Sequence, residues 1–153
     1  MTHAPPFSAP PLAGFAPVSL ASLLVDGPVV LAFFKVSCPT CQLAFPFLER
    51  LHASGSRGLR FIGVSQDGPA LTTQFASRFG VTFPLLLDTS AEGYMVSNSY
   101  GLTLVPSIFV VETDGTITQT LIGFSRAEFE DLALLAGAAA FRPEDKPPVW
   151  KPG

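Results

Sequence analysis

Cysteine is scarce in this chain of 153 residues: there are two, too few for the multi-bridge framework of a small secreted scaffold. Charge is scarce too. Asp, Glu, Lys and Arg make up 14% of the residues, and nine cations against twelve anions leave a net charge of −3. No run of Lys and Arg occurs, which argues against nucleic acid as a partner, because phosphate neutralisation needs grouped cations. The longest strongly apolar stretch, 132–141, falls far short of the ~20 residues that cross a bilayer, so no membrane insertion is expected. The opening MTHAPPFSAPPLAGF lacks the basic-then-apolar order of a secretory signal. A cytoplasmic location is therefore favoured, with a periplasmic one open if a signal has been removed. Histidine is limited to His3 and His52. With no second Cys pair, four ligands for a structural zinc are lacking, and neither metal nor cofactor is expected.

Apolar residues, by contrast, make up 48% of the chain, with fourteen Phe, enough for one domain with a packed core. One domain spanning 1–153 is expected, monomeric, with about 1–17 and 142–153 as irregular, proline-rich extensions; residues 1–17 should run extended over the surface and pair briefly near Phe15. Ser19 is placed to cap a short helix through Leu24. Val29–Phe34 is a continuous apolar run of strand length, as in a central strand buried on both faces. A helix should start at the cysteines and run to about His52, followed by a second buried strand over 59–64. Pro69 begins another helix, with Leu71, Phe75 and Phe79 on one face and Gly80 ending it. A strand over 83–87 and a weak helix over 90–99 follow. Ser107–Val111, the turn at Asp114-Gly115 and the alternating 116–122 read as a hairpin. Ser125 and Glu128 have capping-box spacing before a face of Phe129, Leu132, Ala133 and Ala136. The order β-α-β-α-β-α-β-β-α defines an α/β layer structure with a mixed central sheet.

Both thiols lie in SCPTCQLAFPF, spaced C-x-x-C. Cys38 falls where a buried strand feeds a helix, and free N–H groups there favour an anion, hence the thiolate, which is the nucleophile. Pro39 suits the first helical position. Cys41 lies one turn on and faces the same side, so the two sulfurs can join. A thiolate at Cys38 would attack a disulfide, and the deeper Cys41 would then resolve the mixed disulfide. Half a zinc site and two inert core thiols are the competing readings. Pro46, inside the same helix, removes a backbone hydrogen bond and should kink it.

These residues resemble the thioredoxin superfamily: the strand Val29–Phe34, the Cys38-Pro39-Thr40-Cys41 motif, Pro46, and Val105-Pro106-Ser107 opening the hairpin strand. The resemblance implies a thioredoxin-like fold with helices on both faces of the sheet and a cis proline at Pro106 opposite the cysteines. It also implies that Pro39 and Thr40 form the active-site turn, that Val105 binds substrate backbone, and that Pro106 holds the loop and denies metal access. From Pro6 to about Ala138 the chain is similar, more narrowly, to the TlpA-type and alkyl-hydroperoxide-reductase-like branch. There the N-terminal PPFSAPPLAGFAPVSL is similar to an opening hairpin, an extension of the fold, and Asp67–Gly101 makes room for an extra helix and strand.

The implied activity is thiol–disulfide exchange with a protein or small-molecule disulfide and a redox partner. Alternatives are a peroxiredoxin-like thiol peroxidase and a non-catalytic binding domain. The usual peroxiredoxin pattern has Thr three residues and Pro seven residues before the reactive Cys. This chain has Lys35 and Leu31 counting from Cys38, and Cys38 and Phe34 counting from Cys41. Ser37 stands where thioredoxins usually carry Trp, Ala32 where they carry a buried Asp, and Ala44 where TlpA-type reductases often have Glu. No familiar acid therefore remains to deprotonate Cys41. Lys35 is a candidate for lowering a thiol pKa by its charge. Asp67 and Asp88, at strand ends, read as turn or cap residues, and His52 as a surface residue.

Overall fold

Strand β3 (Val29–Phe34) is buried at all six positions and organises the molecule, which a computed structural model describes over residues 2–153. Its alternate side chains feed two cores. Val30, Ala32 and Phe34 join one cluster, and Val29, Leu31 and Phe33 the other, as the period of two requires for a strand covered on both faces. β3 pairs in parallel with β4 (Arg60–Ser65), which pairs in parallel with β5 (Leu85–Leu87). On its other side it pairs antiparallel with β6 (Ser107–Val111), which forms a hairpin with β7 (Ile117–Ile122). The order β5-β4-β3-β6-β7 is the expected mixed sheet. The Asp114-Gly115 turn closes the hairpin, with Gly115 at φ 88°, a backbone region open to glycine.

The first face is covered by α2 (Pro39–Ser54), α3 (Pro69–Phe79) and α5 (Arg126–Ala136). Phe45 of α2 anchors it, with ring centroids 4.3 Å from Phe34, 5.4 Å from Phe75 and 5.9 Å from Phe83. The second face carries α1 (Leu20–Leu24) and α4 (Met95–Ser99). Ser19 caps α1 through its side chain, and Asp88 caps α4 by accepting from the Val96 and Ser97 amides at 3.1 and 2.7 Å. Ser125 caps α5, accepting from the Glu128 amide at 3.3 Å. Ser125→Ala should lower stability by about 1 kcal/mol, read as a shift in the urea midpoint with an unchanged slope.

Four expectations are corrected. Leu71 is half exposed, and α3 instead buries Thr72 and Phe75; the Thr72 hydroxyl meets Ser65 Oγ at 2.7 Å, so a polar pair turns that face. Phe15 is fully exposed, and the N-terminal pairing is between β1 (Ser8–Ala9) and β2 (Val18–Ser19). The same segment pairs further: Leu12 N–H donates to Leu85, Leu87 N–H to Pro10, and Ile117 N–H to Thr2, each at 2.8 Å. His52 is half-buried, its ring 5.7 Å from Phe83. Finally, the tail is not irregular throughout: β9 (Trp150–Lys151) pairs antiparallel with β8 (Phe124–Ser125).

Candidate active site

Cys38 is the N-cap of α2, with extended backbone, and Pro39 fills the first helical position. The Cys38 sulfur accepts from the Cys41 amide at 3.3 Å and donates to the Val105 carbonyl at 3.5 Å. The first contact uses an amide that the helix leaves without an internal partner. The second links the cysteine turn to the proline loop, where the Val105–Pro106 peptide is cis. Both cysteines are free thiols; Cys38 is half-buried and Cys41 has 0% exposure. Thr40 is buried, and its hydroxyl donates to the Pro152 carbonyl at 2.5 Å. Thus Cys38, Pro39, Thr40, Cys41, Val105 and Pro106 come together although 67 residues separate Cys38 from Val105.

The loop before Cys38 is held by residues for which no such role is expected from sequence. Val36 N–H donates to Asp67 Oδ2 at 2.8 Å, and Val36 C=O accepts from Gln42 Nε2 at 2.9 Å. Asp67 follows β4, at the carboxyl ends of the parallel strands, where open α/β sheets place their sites; that position is the signal by which it is found. Gly123 N–H donates to the Pro106 carbonyl at 2.9 Å, which ties the proline loop to the end of β7. Lys35 is exposed and lines, with Gln66, Leu102, Thr103, Leu104 and Val105, a cleft of about 210 Å³. Among the described residues, no group of three or more His, Cys, Asp or Glu is placed to hold a metal ion, and no helix is long and apolar enough to cross a membrane.

Burial pushes the Cys41 thiol far up, and the Cys38 side chain and charge and the Asp67 carboxylate push it further. A main-chain hydrogen bond from Lys35 opposes them. Burial likewise raises Tyr100, whose hydroxyl donates to the Pro5 carbonyl at 2.9 Å. A thiol whose folded pKa lies above its ordinary 9.0 costs no stability below that pH. Above it, the unfolded chain ionises first and the folded state loses ground. The reduced protein should therefore lose stability steadily above about pH 9. Cys41→Ala should flatten the first part of that decline and leave the Tyr100 part, as urea midpoints across this range would report.

A mixed five-stranded sheet with helices on both faces, a C-x-x-C pair capping a helix and a cis proline opposite it define a thioredoxin-like dithiol protein. More narrowly, the chain belongs to the AhpC/TSA family, whose pattern matches residues 1–120. It is similar to the thiol-disulfide oxidoreductase ResA of Halalkalibacterium halodurans, 31% identical over 97 residues, covering 62% of this chain and 53% of that protein. The chain thus spans about half the length of the ResA proteins it matches. It is also 34% identical over 124 residues to a Mycobacterium tuberculosis protein, strain H37Rv, assigned to the peroxiredoxins, covering 74% of this chain and 78% of that one. Among solved structures, DsbF of Mycobacterium tuberculosis, in mixed oxidised and reduced forms, superposes with a TM-score of 0.72 at 28% identity, covering 86% and 92% of the two chains.

Proposed function

We propose that the protein is a thiol–disulfide oxidoreductase in which Cys38 is the nucleophile and Cys41 the resolving thiol. The observation that carries this reading is the Cys41 N–H donated to a half-buried Cys38 sulfur at the head of α2, with Cys41 itself sealed below. The thiolate of Cys38 attacks one sulfur of a substrate disulfide, forms a mixed disulfide and expels the other substrate sulfur as a thiolate. Cys41 then gives up its proton, attacks the Cys38 sulfur and releases the second substrate thiol. Two electrons pass from the dithiol to the substrate, and a partner dithiol must return them.

The order is favoured by the electrostatics. While Cys38 is an anion it opposes ionisation of Cys41, and capture of Cys38 in a mixed disulfide removes that opposition when the second thiolate is needed. The Asp67 charge also disfavours the Cys41 thiolate, and Ala32 stands where thioredoxins carry a buried acid. Val105 presents main chain to the substrate, Pro106 shapes that loop, and Pro39 and Thr40 shape the turn. We place all of this in one unit, residues 1–153, acting as a monomer. Mixing reduced protein with a peptide disulfide should yield two substrate thiols per chain and one Cys38–Cys41 bond, seen by peptide mapping. Substrate reduction without that bond would overturn the proposal.

A second reading, a thiol peroxidase, is favoured by the 34% identity to the peroxiredoxin-assigned relative. Cys38 would take one oxygen from a hydroperoxide, leaving an alcohol and a sulfenic acid, and Cys41 would condense with it to release water. Lys35 and Leu31 hold the places of the usual Thr and Pro. Peroxide consumption at a rate comparable to disulfide reduction, with the same dithiol reductant, would favour this reading over the first.

A further inference from the structure

We propose that residues Trp150–Gly153 lie in the groove where an extended, disulfide-bearing polypeptide docks, so that such a substrate reaches Cys38 only when this segment moves off. The inference rests on the oxidoreductase reading and names its substrate class.

The segment touches three parts of the site. Thr40, inside the C-x-x-C turn, donates its buried hydroxyl to the Pro152 carbonyl. Gly153 sits directly on Val105, the acceptor of the Cys38 thiol; a side chain at 153 would run into the Val105 carbonyl. Gly123, bonded to the Pro106 carbonyl, leaves room for the segment as well: a Cβ there would lie 2.8 Å from the Lys151 carbonyl oxygen and 3.3 Å from the Gly153 nitrogen. Upstream, Arg126 N–H donates to the Val149 carbonyl at 2.9 Å, and β9 adds to β8 with Lys151 opposite Phe124 and Trp150 opposite Ser125. The segment is therefore held largely through its main chain, as strand addition holds any extended peptide. Apart from the glycine needed at 153, little of that hold uses the segment's own side chains, so another strand can take its place.

Hold on the segment is uneven. Its root is fixed by Arg50 on α2, which donates to Asp145 at 2.6 Å and to the Ala140 carbonyl at 2.9 Å, and by Arg126 donating to the Pro147 carbonyl. Beyond Pro147, Val149 and Trp150 are 71% and 63% exposed. Little apolar area is buried there, so local opening costs far less than unfolding. These residues also lie beyond 1–120, the part that matches the family. A small aromatic disulfide can meet the half-buried Cys38 without needing the groove, whereas a polypeptide strand needs it empty. If the segment is docked nine-tenths of the time, apparent affinity for the strand falls about tenfold.

The test compares the full chain with a variant lacking 148–153 and with Lys151→Pro, which removes a strand N–H. Substrates are an unfolded polypeptide disulfide and 5,5′-dithiobis(2-nitrobenzoate). The deletion should raise kcat/KM for the polypeptide about tenfold through KM, with the small disulfide nearly unchanged, and Lys151→Pro should move in the same direction. A synthetic peptide of residues 147–153 should inhibit the deletion variant. In the intact chain, the single tryptophan, Trp150, should change its fluorescence when a Cys-free peptide of the substrate's sequence is added. Unchanged polypeptide kinetics in a variant that keeps its melting temperature and its small-disulfide rate would overturn the strap. If the deletion does not fold, a flat Trp150 titration in the intact protein would do so. Loss of the oxidoreductase reading looks different: neither substrate would turn over in any of the proteins.

Discussion

Cys38→Ser should reduce disulfide turnover to background, a fall of about a thousandfold or more, while Cys41→Ser should stop the reaction at a covalent adduct. The two outcomes differ because the sulfurs have different surroundings. Cys38 is the reachable one, with the Cys41 amide donated to its sulfur, and a hydroxyl at this position is a poor nucleophile near neutral pH. Cys41 has 0% exposure and cannot meet a bulky disulfide itself; its target is the neighbouring sulfur. Without Cys41 the mixed disulfide has no internal route to release. Non-reducing electrophoresis of Cys41→Ser with a protein disulfide should show an adduct that dithiothreitol removes, and Cys38→Ser should show none. An adduct of equal yield in Cys38→Ser would reverse the roles. The trapped form should also respond to pH differently from the parent: release in the parent should speed up as pH rises, because burial holds Cys41 protonated.

Phe45→Ala should cost about 3–5 kcal/mol, roughly 10 °C or more in melting temperature for a chain of this size. Phe45 is fully buried and stacks against Phe34 of the central strand, Phe75 of α3 and Phe83. Truncation leaves a void among rings that belong to different elements, and these cannot close on it together. The loss reaches the chemistry because Cys41 lies one turn and Cys38 two turns before Phe45 at the head of α2. Calorimetry should show the lower transition, and the variant should alkylate faster at Cys41, which is sealed in the parent. Phe45→Leu should recover part of both.

Much of this was readable from residues alone, and the reason is local. Val29–Phe34 is apolar at every position and of strand length, which fits a strand covered on both faces. Cys38 directly before Pro39 marks a helix start. Ser125 before Glu128 marks another. Each of these signals sits within a few residues of the element it defines. The failures are of the opposite kind. Leu71 looked like a core residue because helical spacing groups it with Phe75 and Phe79, but the Ser65–Thr72 hydroxyl pair rotates α3 away from it. Asp67 lies in the bend after β4, as expected, but its grip on Val36 spans 31 residues and could not be read locally. The contact between Thr40 and Pro152 spans 112, and nothing in PPVWKPG announces it. Side-chain pattern carries no information about a contact to a distant main-chain carbonyl of that kind.

The pairing of residues 2–12 has a consequence for how copies of the protein meet. A strand at the border of a sheet offers its unused N–H and C=O groups to any passing chain. Here Pro10 and Leu12 take those of β5, and Thr2 takes one from β7 at the opposite border. One short proline-containing segment thus covers β5 and the first residue of β7, narrowing the places where the sheet of one molecule can be continued by another. Removing residues 2–12 would uncover both at once, turning a self-limited sheet into a template for end-to-end growth.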